Sequence, residues 1–283
     1  MGNLKKNFSG INYPADNHDI LVEMFSINEK EVVLDAGGGH MPFSRADFIV
    51  EKNLLKSGHR DGKQVPSDKL GKYIAADITC LPFKDKSFDF IFCSHVLEHV
   101  DDPAAACGEL MRVGKRGYIE TPRKWTEFYA GHPSHRWLVD LIEGKLYFEK
   151  RRFINSPFMN FMLPQVWKNP KLYESALTNF RNITCVQLYW EERFEFAVDT
   201  KTGEEDFDYE DPDQAAYSHY CFARNVLELG APPEYGLFHA ETAVNLDSTK
   251  DEYKKLLELY YSLMKEKRAE IVGPELNSGH GSE

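Results

Sequence analysis

The stretch Val32-Val33-Leu34-Asp35-Ala36-Gly37-Gly38-Gly39-His40 decides how this chain reads. Its apolar, β-branched start predicts a buried strand. The strand ends in an acid and runs into three consecutive glycines, which let the backbone turn sharply and let a ligand approach, because no Cβ intervenes. Loops after the carboxyl ends of parallel strands are where open α/β sheets bind their ligands. A tight strand-to-helix turn with no ligand fits the glycines equally well, so the weight has to come from other segments.

The acid discriminates among cofactors. A dinucleotide site wants Gly-x-Gly-x-x-Gly with a helix N-terminus facing a pyrophosphate. Counting from Gly37 gives Gly37, Gly39 and then Pro42, and Asp35 would place negative charge beside the phosphates. No Gly-Lys-Ser/Thr follows, so a nucleotide phosphate loop is absent. S-adenosylmethionine fits better: it has no phosphate, and its sulfonium and ammonium favour a nearby carboxylate. Residues 46–51 predict a second strand ending in Glu51, whose carboxylate suits a ribose diol. Residues 73–78 predict a third strand at whose end Asp77 can accept from an adenine amino group while the Ile78 N–H donates to a ring nitrogen. Residues 86–94 predict a fourth strand, leading into His95-Val96-Leu97-Glu98-His99-Val100. Taken alone, each acid is a solvated strand end or a helix cap. Three at successive strand ends, behind a glycine loop, point to one site.

With these residues in view the chain resembles the class I S-adenosylmethionine-dependent methyltransferases, of the small-molecule kind often labelled type 11. The resemblance rests on Leu34-Asp35-Ala36-Gly37-Gly38-Gly39, on Asp77-Ile78-Thr79-Cys80-Leu81-Pro82-Phe83, on Ser87-Phe88-Asp89-Phe90-Ile91, on residues 95–100 and on residues 109–119. It implies an α/β fold: a Rossmann-like, doubly wound, seven-stranded, mostly parallel sheet with an antiparallel edge strand, plus an insertion and a C-terminal helix. It also implies that Asp35, Ala36, Gly37, Gly38 and Gly39 hold the methionine end of S-adenosyl-L-methionine, Glu51 the ribose, and Asp77 with Ile78 the adenine. His95 would lie beside the methyl group. The chain departs from the family in having Met41 where a third glycine is usual. Its short segment between the first two strands leaves the first helix stunted or absent.

Composition sets the outer bounds. A chain of 283 residues can bury one α/β core with additions. No apolar run is long enough to span a bilayer, and the start has no apolar segment of the secretory kind. The five cysteines are scattered without a Cys-x-x-Cys pair, as in reduced, mostly buried thiols. A cytoplasmic setting is expected. With 45 acidic against 34 basic residues, an extended nucleic-acid surface is disfavoured.

The organisation expected is a lead-in with a helix over 1–30, a methyltransferase domain over 31–200 carrying an insertion at about 123–181, and an acidic loop with a helical extension over 201–283. Asp102-Pro103 predicts the start of a helix that runs to about Val113 and stops at Gly114. Residues 117–121 predict a fifth strand. Residues 183–190 and 193–198 predict an antiparallel pair at the sheet edge, joined by a Glu191-Glu192 turn. Residues 251–269 carry Tyr253, Leu256, Leu257, Tyr260, Tyr261 and Met264 on one helical face, which is expected to pack on the domain or form a homodimer.

Methyl transfer needs a positioned acceptor and, for an OH or NH, removal of a proton. His95 is the candidate base, with packing against the cofactor or helix capping as the equal alternative. His132, His135 and Arg136 are candidates for a polar or anionic acceptor; against this, Trp137 would plug the core and Arg136 would pair with an acid. Glu120 and Tyr129 are further pocket candidates. No metal is assigned, since His95-x-x-x-His99 lacks the Glu after the first His used by zinc peptidases. The leading expectation is a small-molecule O- or N-methyltransferase with its acceptor open. The alternatives are a non-catalytic scaffold of the same fold and a methyltransferase acting on protein or nucleic acid.

Overall fold

The computed structural model describes residues 13–55, 60, 62–152, 171, 179, 181–199, 211–228, 230 and 232–271. Most of the second half of the expected insertion and the acidic run at 201–210 lie outside these residues. The chain divides into two compact units, Met1–Tyr209 and Glu210–Glu283.

In the first unit, α1 (His18–Met24) precedes β1 (Val33–Ala36), β2 (Phe48–Glu51), β3 (Tyr73–Ala75), β4 (Phe90–Ser94), α2 (Pro103–Val113), β5 (Arg116–Pro122) and the one-turn α3 (Glu127–Ala130). β6 (Trp137–Ile142), β7 (Lys145–Lys150), the short α4 (Arg181–Thr184), β8 (Cys185–Glu191) and β9 (Glu195–Asp199) follow. The main sheet has the order β3-β2-β1-β4-β5-β8. Its first five strands are parallel, and β8 runs antiparallel to β5 with Tyr118 opposite Tyr189. The doubly wound α/β architecture and its antiparallel edge are therefore present.

The main sheet has six strands rather than seven. The expected partner of β8 leaves it: β9 pairs parallel with β7, Leu146 opposite Phe196, in a separate three-stranded sheet ordered β6-β7-β9. Glu192, at a φ of +61°, turns the chain away after β8. Phe194 then packs with Trp190 in the core, the rings 5.4 Å apart. The alternation of Phe194, Phe196 and Val198 suits any open edge. The β6–β7 hairpin, which the sequence pattern did not reveal, supplies the edge that is used.

Period-two patterning builds a core on each face of the main sheet. Leu34, Ile91, Cys93 and Ile119 face a cluster that contains Ala106, Cys107, Leu110 and Val113 of α2 and Leu146 and Phe148 of β7. Val33, Phe90, Phe92 and Tyr118 face the other cluster, with Leu21 and Phe25 from the α1 region. The Asp102 side chain caps α2 by accepting from the Ala105 N–H at 2.9 Å, and Pro103 opens the helix. Gly114 does end it, but with a φ of −104°. Its smallness serves packing, because a Cβ there would overlap the Ile91 side chain.

Between β1 and β2 the backbone makes turns and no helix, as the short segment suggests. Arg45 braces them, bonding Asp47 at 2.9 Å and the Glu31 carbonyl at 2.7 Å. The second unit contains α5 (Pro212–Glu228), α6 (Glu234–Leu246) and α7 (Asp251–Ile271). Tyr260 of α7 is fully buried and donates to the Ala223 carbonyl at 2.7 Å, and Gly236 leaves room for its ring. No helix among the described residues is long and apolar enough to cross a membrane.

Candidate active site

Parallel strands bring the carboxyl ends of β1, β2, β3 and β4 to one edge of the sheet. A cavity of about 410 Å³ opens there. The glycine turn walls it with Asp35, Gly37, Gly38, Gly39, His40 and Met41; β4 and its exit supply Phe92, Ser94 and His95. Ala15, Asp16 and His18 come from the lead-in, and Arg60 and Arg181 complete the walls.

The turn needs its glycines. Gly37 and Gly39 have φ values of +89° and +50°, in the left-handed region that side chains resist. A Cβ on Gly37 would strike Val96, and one on Gly38 would strike the Asp35 carboxylate. The turn is pinned by the Gly37 N–H bonding the Val50 carbonyl at 2.8 Å and by the Tyr73 hydroxyl bonding the Gly39 carbonyl at 2.7 Å.

Asp35 is 2 % exposed and accepts from the Phe43 N–H at 2.7 Å. Burial, reinforced by Glu51 and only partly offset by the Phe43 bond, pushes its pKa up to about 7. A positive charge brought beside it would reverse that shift. Glu51 ends β2 next to the cavity, but its carboxylate is paired with Arg60 at 3.0 Å. Asp77 caps its own turn, accepting from the Thr79 N–H and hydroxyl, and pairs with Lys52 at 2.9 Å. Ile78 is buried in the core cluster. Glu51, Asp77 and Ile78 thus share the strand edge with Asp35 without lining the cavity. Ala36 is fully buried beneath the turn.

His95 leaves β4 with a φ of +55°, held by its N–H on the Glu120 carbonyl at 2.8 Å. That backbone aims the ring between two buried acids. Nε2 lies 3.2 Å from Glu120 and Nδ1 lies 3.4 Å from Glu98. Burial opposes the imidazolium, but Cys185, Glu120 and Glu98 outweigh it and hold the pKa well above the usual histidine value. Glu120 itself is fully buried and accepts from Tyr118 at 2.6 Å, Gln187 at 2.9 Å and Arg181 at 2.7 Å. Burial alone would raise its pKa; His95 and Arg181 instead drive it well below the carboxylate range.

His132, His135 and Arg136 lie away from the cavity walls. The His135 Nδ1 meets Glu127 at 2.8 Å, and the His132 Nδ1 meets the Ser134 hydroxyl at 2.7 Å. Arg136 is engaged by Asp101, and Trp137 is buried with its Nε1 donating to the Val100 carbonyl at 2.8 Å. This is the arrangement that the alternative reading of the cluster describes. The Tyr129 side chain lies outside those described. His18, Arg60 and Arg181 were missed as wall residues. The turn-and-cap signal at 14–18 marks the place of His18, whereas nothing local in sequence marks the two arginines.

Residues 50–119 match the family model described as a methyltransferase domain. The matched segment runs from β2 to β5, through the strand ends that edge the cavity, and there the chain is similar to S-adenosylmethionine-dependent methyltransferases. Among curated relatives, an uncharacterized methyltransferase of Mycobacterium sp. (strain KMS) is 33% identical over 36% of this chain and 42% of its own length. A demethylmenaquinone methyltransferase of Renibacterium salmoninarum is 47% identical over 31% of this chain and 36% of its own. The chain thus spans well under half the length of the relatives it matches. A solved structure of an Aquifex aeolicus protein described as a SAM dependent methyltransferase is 15% identical, covering 63% of this chain and 93% of that one, with a TM-score of 0.32.

Proposed function

We propose that the protein is an S-adenosylmethionine-dependent methyltransferase that acts on the oxygen or nitrogen of a small-molecule acceptor. The observation that carries this reading is the cavity at the carboxyl edge of the parallel sheet, walled by a glycine turn over the buried Asp35 carboxylate. The residues suit the cofactor. A bare backbone surface accepts a close ligand, and a carboxylate at a pKa of about 7 gains from a neighbouring cation. S-adenosylmethionine would supply a methyl group on a sulfonium, with the leaving group already built in. The chain's own part is to hold the acceptor in line and manage its proton. His95 is placed to orient an acceptor at the β4 exit. As a base it would first have to give up the proton that Glu98 and Glu120 favour. The acidic balance of the chain and the relative named for demethylmenaquinone support a small acceptor over a polymer.

Titration of the protein with S-adenosylmethionine and its demethylated product by calorimetry tests the reading. Saturable binding of both is expected, and a folded protein that binds neither would overturn it. An Asp77→Ala variant should bind more weakly; unchanged affinity would remove Asp77 from the adenine site. A His95→Ala variant should lose turnover while still binding the cofactor. One observation favours the non-catalytic alternative: Arg60 occupies the carboxylate of Glu51. That reading expects cofactor binding without turnover of any acceptor, and Arg60→Ala should then tighten binding.

A further inference from the structure

Among the described residues, two groups of side chains converge closely enough to share one ion: His95 with Glu120 and Cys185, and Glu98 with His99 and His135. In the first, the Glu120 carboxylate is already filled by Tyr118, Gln187 and Arg181. The second is different. Glu98 has 1 % of its side chain exposed, and its carboxylate has an ion contact, Nδ1 of His95 at 3.4 Å from Oε1, but no well-formed hydrogen bond among the described residues. A buried carboxylate left in that condition is costly.

The imidazoles around Glu98 are oriented from behind. The His135 Nδ1 meets the Glu127 carboxylate at 2.8 Å, and the His99 Nδ1 meets the Ser134 carbonyl at 3.1 Å. A carboxylate and a carbonyl only accept, so in the neutral imidazole both contacts place the proton on Nδ1 and turn the Nε2 lone pair toward Glu98. Both Nε2 atoms lie 4.0 Å from the same oxygen, Oε1 of Glu98. The three atoms lie within 4.8 Å of one another, spaced as ligands around a shared cation. Histidines held through Nδ1 by a carboxylate or carbonyl are the usual outer support of a metal site.

We propose that Glu98, His99 and His135 bind a divalent transition-metal ion, with zinc the best match to two imidazoles and one carboxylate. The His95–His99 spacing alone points to no metal because the third ligand arrives from beyond α2 and β5. The ion would fasten the β4 exit to the segment before β6, where the Glu98 carbonyl already accepts the Arg136 and Trp137 N–H groups at 2.8 and 3.2 Å. It would thus set the backbone that carries His95.

The test uses the full chain, stripped with a chelator and dialysed against Zn²⁺ alone. One zinc per chain is expected by elemental analysis. Zinc at ~100 times its Kd should raise the unfolding midpoint of the sheet-bearing unit by about 5–10 °C. Glu98→Gln and His135→Ala should abolish retention, and the outer-support variant Glu127→Gln should weaken zinc about 10–100-fold. Circular dichroism checks that each variant is folded. Should Glu98→Gln not fold, His99→Gln replaces it, with the same loss expected. Cys185→Ser should keep its zinc, and cobalt in place of zinc should show no thiolate charge-transfer band. A folded wild type that retains no zinc at micromolar free metal overturns the proposal. So does full retention by a folded Glu98→Gln, or loss in Cys185→Ser. None of these readouts depends on methyl transfer.

Discussion

Asp35 couples the cavity to pH. Its pKa of about 7 in the folded chain lies above the ordinary 3.8, so the folded state holds a proton that the unfolded state gives up. Stability is therefore highest below pH 4 for this group and falls as pH rises through 7, by an amount on the order of 4 kcal/mol. Asp35→Asn, which can still accept from Phe43, should flatten urea-unfolding free energies over that window. The sign reverses for a cationic ligand. Below pH 7 the ligand must displace the proton, so S-adenosylmethionine affinity should fall about tenfold per pH unit on the acid side and level off above 7. Calorimetry at several pH values checks this, and Asp35→Asn should remove the dependence. Arg181 poses a second test at this scale. With His95 it compensates the fully buried Glu120, so Arg181→Ala should destabilise the protein by about 3–5 kcal/mol in the same unfolding assay.

Elements were legible where their signals are local. β1, β2, β4 and β5 announce themselves as short apolar runs closed by Asp35, Glu51, Ser94 and Pro122. α2 announces itself through Asp102-Pro103. Replacing that cap, Asp102→Ala, should cost about 1 kcal/mol by chemical denaturation, since one N-terminal N–H loses its acceptor. The partner of β9 was not legible. Alternating Phe194, Phe196 and Val198 say that an edge is sought and not which one, and the answer depends on a hairpin within the expected insertion. α5 and α6 lie within the helical extension expected over 201–283 but were not bounded one by one, because the positions they bury are mostly Ala, Ser, His and Gly. The site follows the same division. Asp35 and the three glycines are read from one contiguous stretch, whereas Arg60, Arg181 and the Glu98–His135 convergence exist only after the chain has folded.

Every wall residue of the cavity belongs to the unit spanning Met1–Tyr209. A fragment ending at residue 209 should therefore bind S-adenosylmethionine within about threefold of the full chain by calorimetry, since it keeps every one of those wall residues. In the second unit, Tyr253 and Tyr260 of α7 are buried while Tyr261, foreseen on the same face, is exposed, so part of that face is used within its own unit. Across the whole chain four of the five cysteines are buried, and Cys80 alone is exposed, one residue past the turn that Asp77 caps. A maleimide dye added to the unmutated protein would settle on that single sulfur, near the carboxyl edge of the sheet where Asp77 sits. Its emission could then follow cofactor arrival in real time, without any engineered label.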